Sequence, residues 1–372
     1  MQQQFLKNNI SLRDKIGALD FQLIFLILLL GIISFFTMYS TEQGKLGYYT
    51  QSHIYRFCIF FVIFIICAFL KLQFWHKFTY LFYFLVIILL LAVDFFGIAA
   101  SGSTRWINLF VFNLQPSELM KVALIIFLAR YYNKISIDEV SRLKSMVIPS
   151  FALFLPVALV ISQPDLGTAL LIMIGGLAVV WLAGFKLKYF MFSFVIFVCS
   201  MPVVIAFLKP YQKLRILTFL NPERDPLGAG YQIIQSKIAV GSGGIFGKGF
   251  LNGSQSYLDY LPEKHTDFIF TLFSEEFGFI GCIFLLLIYM LILYRITKIG
   301  QKSKSNFAKL YCFGFAVAFF TYVVINMSMV LGLLPIVGAP LPIMSYGGSS
   351  MLSMMIGLGI VMSCNIHNED RI

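Results

Sequence analysis

The sequence predicts an all-α integral membrane protein of about ten transmembrane helices, with a large extracytoplasmic loop between the seventh and eighth. Three observations carry this. Of 372 residues, 59% are hydrophobic and only 12% charged, where a soluble domain has roughly 25% charged, and mean hydropathy is +0.86. The apolar residues form nearly unbroken runs of helix length, such as Phe21–Met38, Leu81–Val93 and Phe279–Tyr294; a membrane barrel would show short alternating segments instead. Basic residues gather in every second connection, as loops on the cytoplasmic side do.

The elements follow in order. A polar tail with Lys7, Arg13 and Lys15 precedes a first span near 20–39. The second (54–71) and third (77–98) enclose Lys71 and Lys77. Segment Ala99–Gln115, containing STRWIN, is too long for a turn. Its Arg105-Trp106 pair suggests a re-entrant or interfacial stretch, because Trp favours the bilayer boundary. The fourth and fifth spans (116–132, 146–163) enclose Arg130, Lys134, Arg142 and Lys144, and the sixth and seventh (165–184, 188–208) enclose Lys186 and Lys188. The large loop runs over 209–266. Within it, Tyr231–Val240 has the pattern of an amphipathic helix lying on the membrane. GSGGIFGKGF follows, and its glycines suit sharp turns or close backbone approach. It is not a Walker A loop, since Ser242 stands where the first Gly is required. The eighth span (267–296) leads into Arg295, Lys298, Lys302, Lys304 and Lys309, then the ninth (307–333) and tenth (341–364). Residues 1–372 thus read as a single polytopic membrane domain with both termini cytoplasmic. The net charge of +11 belongs to these loops and implies no nucleic-acid partner. The first span has no small-residue cleavage site, so no cleavable leader is expected. The six scattered cysteines show neither metal nor redox spacing.

Ionisable groups at membrane depth mark functional sites, and four polar clusters interrupt the spans. In LPEKHTDFIFTLFSEEFGFIG, helical spacing puts Asp267, Thr271, Ser274, Glu275 and Gly278 on one face. Such a stripe must meet a watery cavity or protein. Asp267, with Lys264 and His265 before it, reads either as a helix N-cap or as a general base at the membrane lip. Glu275 and Glu276 lie too deep for headgroup chemistry and suggest structural or gating pairs. In QPSELMK, Gln115, Ser117, Glu118 and Lys121 open the fourth span; Glu118 and Lys121 read as an ion pair, or Lys121 and Arg105 as cations for a pyrophosphate. In QPDLGT, Asp165 and Thr168 read as a cap or as polar groups on the same outer rim. PLPIMSYGGSS, with Ser345, predicts a broken helix lining a cavity or close packing through small residues. All four clusters fall on one side of the membrane, which implies one outward-facing polar cavity.

Together the blocks RWIN…QPSELMK, QPDLGTALL, GYQIIQSKIAVGSGG, LPEKHTDFIF..FSEEFG and PLPIMSYGGSS closely resemble the SEDS family (shape, elongation, division and sporulation) over nearly the whole chain. The resemblance implies a peptidoglycan glycosyltransferase of the bacterial inner membrane that polymerises lipid II into β-1,4-linked glycan, with Asp267 as the essential catalytic acid residue. It implies a class B penicillin-binding protein and other elongation-complex proteins as partners. Family behaviour suggests a divalent cation (Mg2+ or Mn2+), although no closed metal site is visible in the sequence. The short tails and FLNGSQSYLDYLPEKHTDF look like the rod-shape branch rather than the division branch. Two other functions fit an intramembrane polar cavity: a lipid II flippase or other transporter, and a non-enzymatic scaffold for the penicillin-binding protein.

Overall fold

Helices dominate because apolar runs inside a bilayer must satisfy every backbone N–H and C=O within the segment. The computed structural model describes residues 11–100, 103–108, 113–207, 210–224, 229–253 and 263–370. In order they form α1 (Leu12–Gly17), α2 (Phe21–Thr41), α3 (Tyr48–Phe69), α4 (Leu72–Phe96), strands β1 (Ile98–Ala100), β2 (Ser103–Asn108) and β3 (Asn113–Leu114), then α5 (Pro116–Asn133), α6 (Ile137–Val140), α7 (Leu143–Ser162), α8 (Leu166–Leu182), α9 (Leu187–Phe207), α10 (Pro210–Leu220), α11 (Ala229–Ser242), α12 (Ile269–Lys302), α13 (Asn306–Val330) and α14 (Gly348–Ile366). Each of the ten predicted spans overlaps one of these helices, the tenth only from Gly348 onward. Among the described residues, seven are long and apolar enough to cross a membrane, and α8 is a shorter apolar helix. The chain is a multi-pass membrane protein. Large apolar side chains such as Phe25, Phe84, Phe151 and Phe284 are exposed on the outside of the bundle, where lipid replaces water as the neighbour.

The bundle is built around α5. Nearly every residue from Pro116 to Ala129 is buried, and α4, α7, α8, α13 and α14 pack on it. A helix enclosed on all sides has no lipid-facing stripe, so it tolerates Glu118 and Lys121, which protein groups satisfy. Its low overall hydropathy is why it falls outside the seven.

The described residues of the stretch expected to be re-entrant or interfacial carry strands. They form a small antiparallel sheet in the order β1-β2-β3, pairing Trp106 with Ile98 and Ile107 with Leu114. A strand on each side lets the β2 backbone pair without entering lipid, a solution that all-α patterning cannot display.

The predicted eighth span is one long helix broken at Gly278, whose φ of 61° and ψ of −161° are open to glycine. The break is splinted by the glycine-rich loop after α11. Lys248 N and Gly249 N donate to Glu275 O and Glu276 O, each at 3.0 Å, while Phe279 N and Ile280 N donate to Gly244 O and Ile245 O at 2.9 and 3.1 Å. The two helical bonds that would join Phe279 to Glu275 and Ile280 to Glu276 are thus exchanged for four bonds to the loop. Gly243 and Gly247 make this possible, because a Cβ on either would enter the backbone of α12. The loop cradles helix carbonyls.

Candidate active site

Asp267 lies two residues before α12, outside the spanning helix. The N-cap position is Phe268, which makes no side-chain capping bond, so the capping reading of Asp267 does not hold. Its turn is pinned instead through the backbone. Ser345 Oγ donates to Thr266 O at 2.6 Å and accepts from Leu341 N at 2.7 Å. Tyr346 N donates to His265 O at 2.8 Å. Asn326 Nδ2 donates to Asp267 O at 2.9 Å and to Ala339 O at 2.7 Å. The His265 ring stacks on Tyr49, centroids 4.1 Å apart, and Lys264 shares the turn. Segment 333–347, rich in Pro and Gly, is irregular and reaches α14 only at Gly348. Its Ser345 hydroxyl and Tyr346 N–H, with the Asn326 amide of α13, hold the Asp267 turn.

The Asp267 carboxylate is half-buried, and among the described residues no donor hydrogen-bonds it. Burial above all, then the negative charges of Glu263, Asp165 and Glu118, push it up to about 7 against the pull of Arg105. A carboxyl group poised near neutrality suits a general base. The same interactions show that Arg105, Glu118 and Asp165 stand within electrostatic reach of it.

Each of the three is held by its own polar partners. Lys121 Nζ lies 2.6 Å from Glu118 Oε1 and 4.1 Å above the Tyr322 ring, while Tyr322 Oη donates to Glu118 Oε2 at 3.0 Å. Asp165 does cap α8: Thr168 N donates to Oδ1 at 3.1 Å and Thr168 Oγ1 to Oδ2 at 2.8 Å. The same carboxylate receives Gln115 Nε2 at 3.2 Å and pairs with Arg105 Nη1 at 3.4 Å. Arg105 also donates to Pro164 O at 2.6 Å, and Gln115 N donates to Ser349 Oγ at 2.7 Å. Ser117 is buried in the first turn of α5. Gly167 abuts the Val337 backbone so closely that a Cβ would collide with Val337 O. That contact sets the α8 cluster beside Gly338, whose Cβ would lie 3.5 Å from Asp267 Oδ2.

Asp267, His265, Ser345, Asp165, Thr168, Gln115, Arg105, Glu118 and Lys121 therefore belong to one neighbourhood. Glu275 and Glu276 belong to another. Both are buried; Glu275 pairs with Lys248 Nζ at 2.6 Å, and Ser40 Oγ donates to Glu276. The polar stripe of α12 meets protein, with Ser236 Oγ of α11 at 3.2 Å from Thr271 Oγ1. Helix α11 is docked rather than laid flat: Ile233, Ser236 and Ala239 are buried, while Ile238 is exposed. Sequence reasoning missed Tyr49, Tyr322, Lys248 and Ser40. Tyr49, Tyr322 and Ser40 carry no local motif, Lys248 lies in the glycine-rich run, and each is joined to its partner only by folding.

Among the described residues, no group of three or more His, Cys, Asp or Glu side chains is placed to hold a metal ion. Glu118 and Asp165 are engaged by Lys121, Tyr322, Thr168, Gln115 and Arg105, which leaves Asp267 as a lone carboxylate. This donor set does not fit a resident divalent cation.

A bundle of apolar helices with a carboxylate and paired cations gathered at one end defines the class, a polytopic membrane enzyme. The chain belongs to the SEDS family: the family model for the cell cycle proteins FtsW, RodA and SpoVE matches residues 18–370. The peptidoglycan glycosyltransferase MrdB of Escherichia coli (strain K12) is 39% identical over 357 residues, covering 96% of this chain and 95% of the relative. A probable peptidoglycan glycosyltransferase FtsW of Buchnera aphidicola subsp. Schizaphis graminum is 34% identical over 318 residues, covering 85% and 90%. Among solved structures, a chain from work on the structural coordination of polymerization and crosslinking by a peptidoglycan synthase complex matches with a TM-score of 0.81 at 30% identity, over 94% of this chain and 98% of that one. The rod shape determining protein RodA of Thermus thermophilus shares the fold, with a TM-score of 0.71 at 24% identity over 95% and 98%.

Proposed function

We infer that this peptidoglycan glycosyltransferase polymerises lipid II during cell-wall elongation, with Asp267 as its general base. The observation that carries the assignment is the Asp267 carboxylate: half-buried, without a hydrogen-bond donor among the described residues, and held near neutrality beside two paired cations. Asp267 takes the proton from the 4-hydroxyl of the acceptor N-acetylglucosamine. That oxygen attacks the anomeric carbon of the donor N-acetylmuramic acid as the bond to undecaprenyl pyrophosphate breaks. The donor is α-linked and the product β-1,4-linked, so one displacement with inversion needs one base and no enzyme nucleophile. Arg105, whose side chain is 20% exposed, is the cation with access to the leaving pyrophosphate; Lys121, at 5%, contributes a fixed charge from behind Glu118. Exposed Ile238, Ile245 and Phe246 offer an apolar path for the polyprenyl tail.

In this proposal the chain works as one membrane unit in the bacterial inner membrane, both termini cytoplasmic, beside a class B penicillin-binding protein that crosslinks the new glycan. The test is reconstitution with that partner and labelled lipid II. Polymer made by the wild type and lost in a folded Asp267→Ala variant supports the assignment. Lipid crossing between leaflets without polymer would make the chain a flippase, and neither activity would leave it a scaffold.

A further inference from the structure

We propose that the end of the bundle opposite Asp267 binds the phosphate headgroup of an anionic phospholipid. A cavity of about 460 Å3 opens there, walled by Asp20, Gln22, Arg295, Lys302, Asn365 and Asn368. Its size falls within the roughly 300–1,000 Å3 of small-ligand clefts. The one carboxylate in this wall is already engaged. Asp20 Oδ1 accepts Leu23 N at 3.0 Å and Oδ2 accepts Arg295 Nε at 3.0 Å. Lys302 is exposed at the last turn of α12, and no carboxylate among the described residues pairs with it. The cavity therefore keeps one net positive charge together with side-chain amides, the combination that receives a phosphate diester and its glycerol hydroxyls.

An amphiphile fits this site better than a free anion. Phe21 forms part of the wall and is 60% exposed, and Phe25, one turn further along α2, is 63% exposed. Together they continue the polar cavity into an apolar track along the outside of the bundle. Beside it, α1 exposes Leu12 and Ile16 next to Arg13 and Lys15, as a short interfacial helix does. This is also the end where the basic connections collect, and such segments are drawn to anionic lipid.

The test is displacement of a fluorescent phosphatidylglycerol from the purified full chain in detergent. Saturable binding is expected, with phosphatidylcholine about fivefold weaker. Lys302→Glu should weaken phosphatidylglycerol binding about twenty-five-fold, two charge steps of about fivefold each, and Lys302→Gln about fivefold. Lys186→Glu, in the connection between α8 and α9 outside the cavity wall, should leave binding within about twofold. Thermal melts establish that each variant is folded; should Lys302→Glu fail to fold, Lys302→Gln decides. The proposal is overturned by unchanged binding in the folded Lys302 variants, or by an equal loss in Lys186→Glu, which would mean diffuse surface charge. Displacement by inorganic phosphate as effective as by phosphatidylglycerol would also overturn it, since the site would then take a small anion.

Discussion

The polymerisation rate should follow the ionisation of Asp267. Burial and neighbouring carboxylates raise that group from 3.8 to about 7, and a general base works only when unprotonated. About half of the enzyme is then competent at pH 7, about a tenth at pH 6 and nearly all at pH 8. Asp267→Asn keeps the shape but cannot take the proton, so turnover should fall by about 10²–10⁴. Stability should move the other way. An acid whose folded value is raised binds more protons folded than unfolded, so the fold weakens as pH rises through the window from 3.8 to about 7. The full displacement corresponds to about 4 kcal/mol, and the partial exposure of the half-buried side chain screens it to about 2 kcal/mol. Asp267→Asn should therefore melt higher than wild type at pH 8, with the gain shrinking toward the ordinary carboxylate range. Single-turnover formation of labelled glycan between about pH 5.5 and 8.5 reads the first effect, and thermal unfolding reads the second. A flat rate profile across pH 7, or an Asp267→Asn variant within about tenfold of wild type, would refute the base assignment.

Three further outcomes follow from the geometry. Gly278→Ala places a Cβ 2.8 Å from Ile245 O at a φ of +61° and disturbs the four exchanged bonds; it should cost about 3–5 kcal/mol, and an unchanged melting temperature would disprove the splint. Glu118→Gln and Lys121→Met each strand a buried charge, so each should destabilise by about 3–5 kcal/mol while the double variant loses less than the sum; additivity within about 0.5 kcal/mol would show that the pair is not coupled. Arg105→Ala leaves Asp165 with Gln115 and Thr168 and should fold, with kcat lowered about tenfold to a hundredfold; an unchanged kcat would remove Arg105 from the reaction.

The Glu118–Lys121 pair was legible because three residues along a helix place two side chains together, and the Asp165 cap because Thr168 follows at the same interval. The role of the glycine-rich loop was not. Its spacing excluded a nucleotide site, but nothing local shows that Gly243 and Gly247 pack on a helix break about 30 residues later in the chain. The strands around Trp106 were equally hidden, because the pairing that creates them joins segments with no period in common.

Composition and the period of the apolar runs decided by themselves that this chain is a bundle of membrane helices, because lipid leaves an apolar segment no other way to satisfy its backbone. The motif blocks decided the family. Only tertiary structure decided which carboxylates are engaged and which one is left poised. Glu118, Asp165, Glu275 and Glu276 are engaged by Lys121, Arg105, Lys248 and Ser40, whereas Asp267, beside Gly338, has no hydrogen-bond donor on its carboxylate among the described residues. Charge and hydrogen bonding act through space over a few ångströms, and the packing of α5, α8, α12 and segment 333–347 sets those distances.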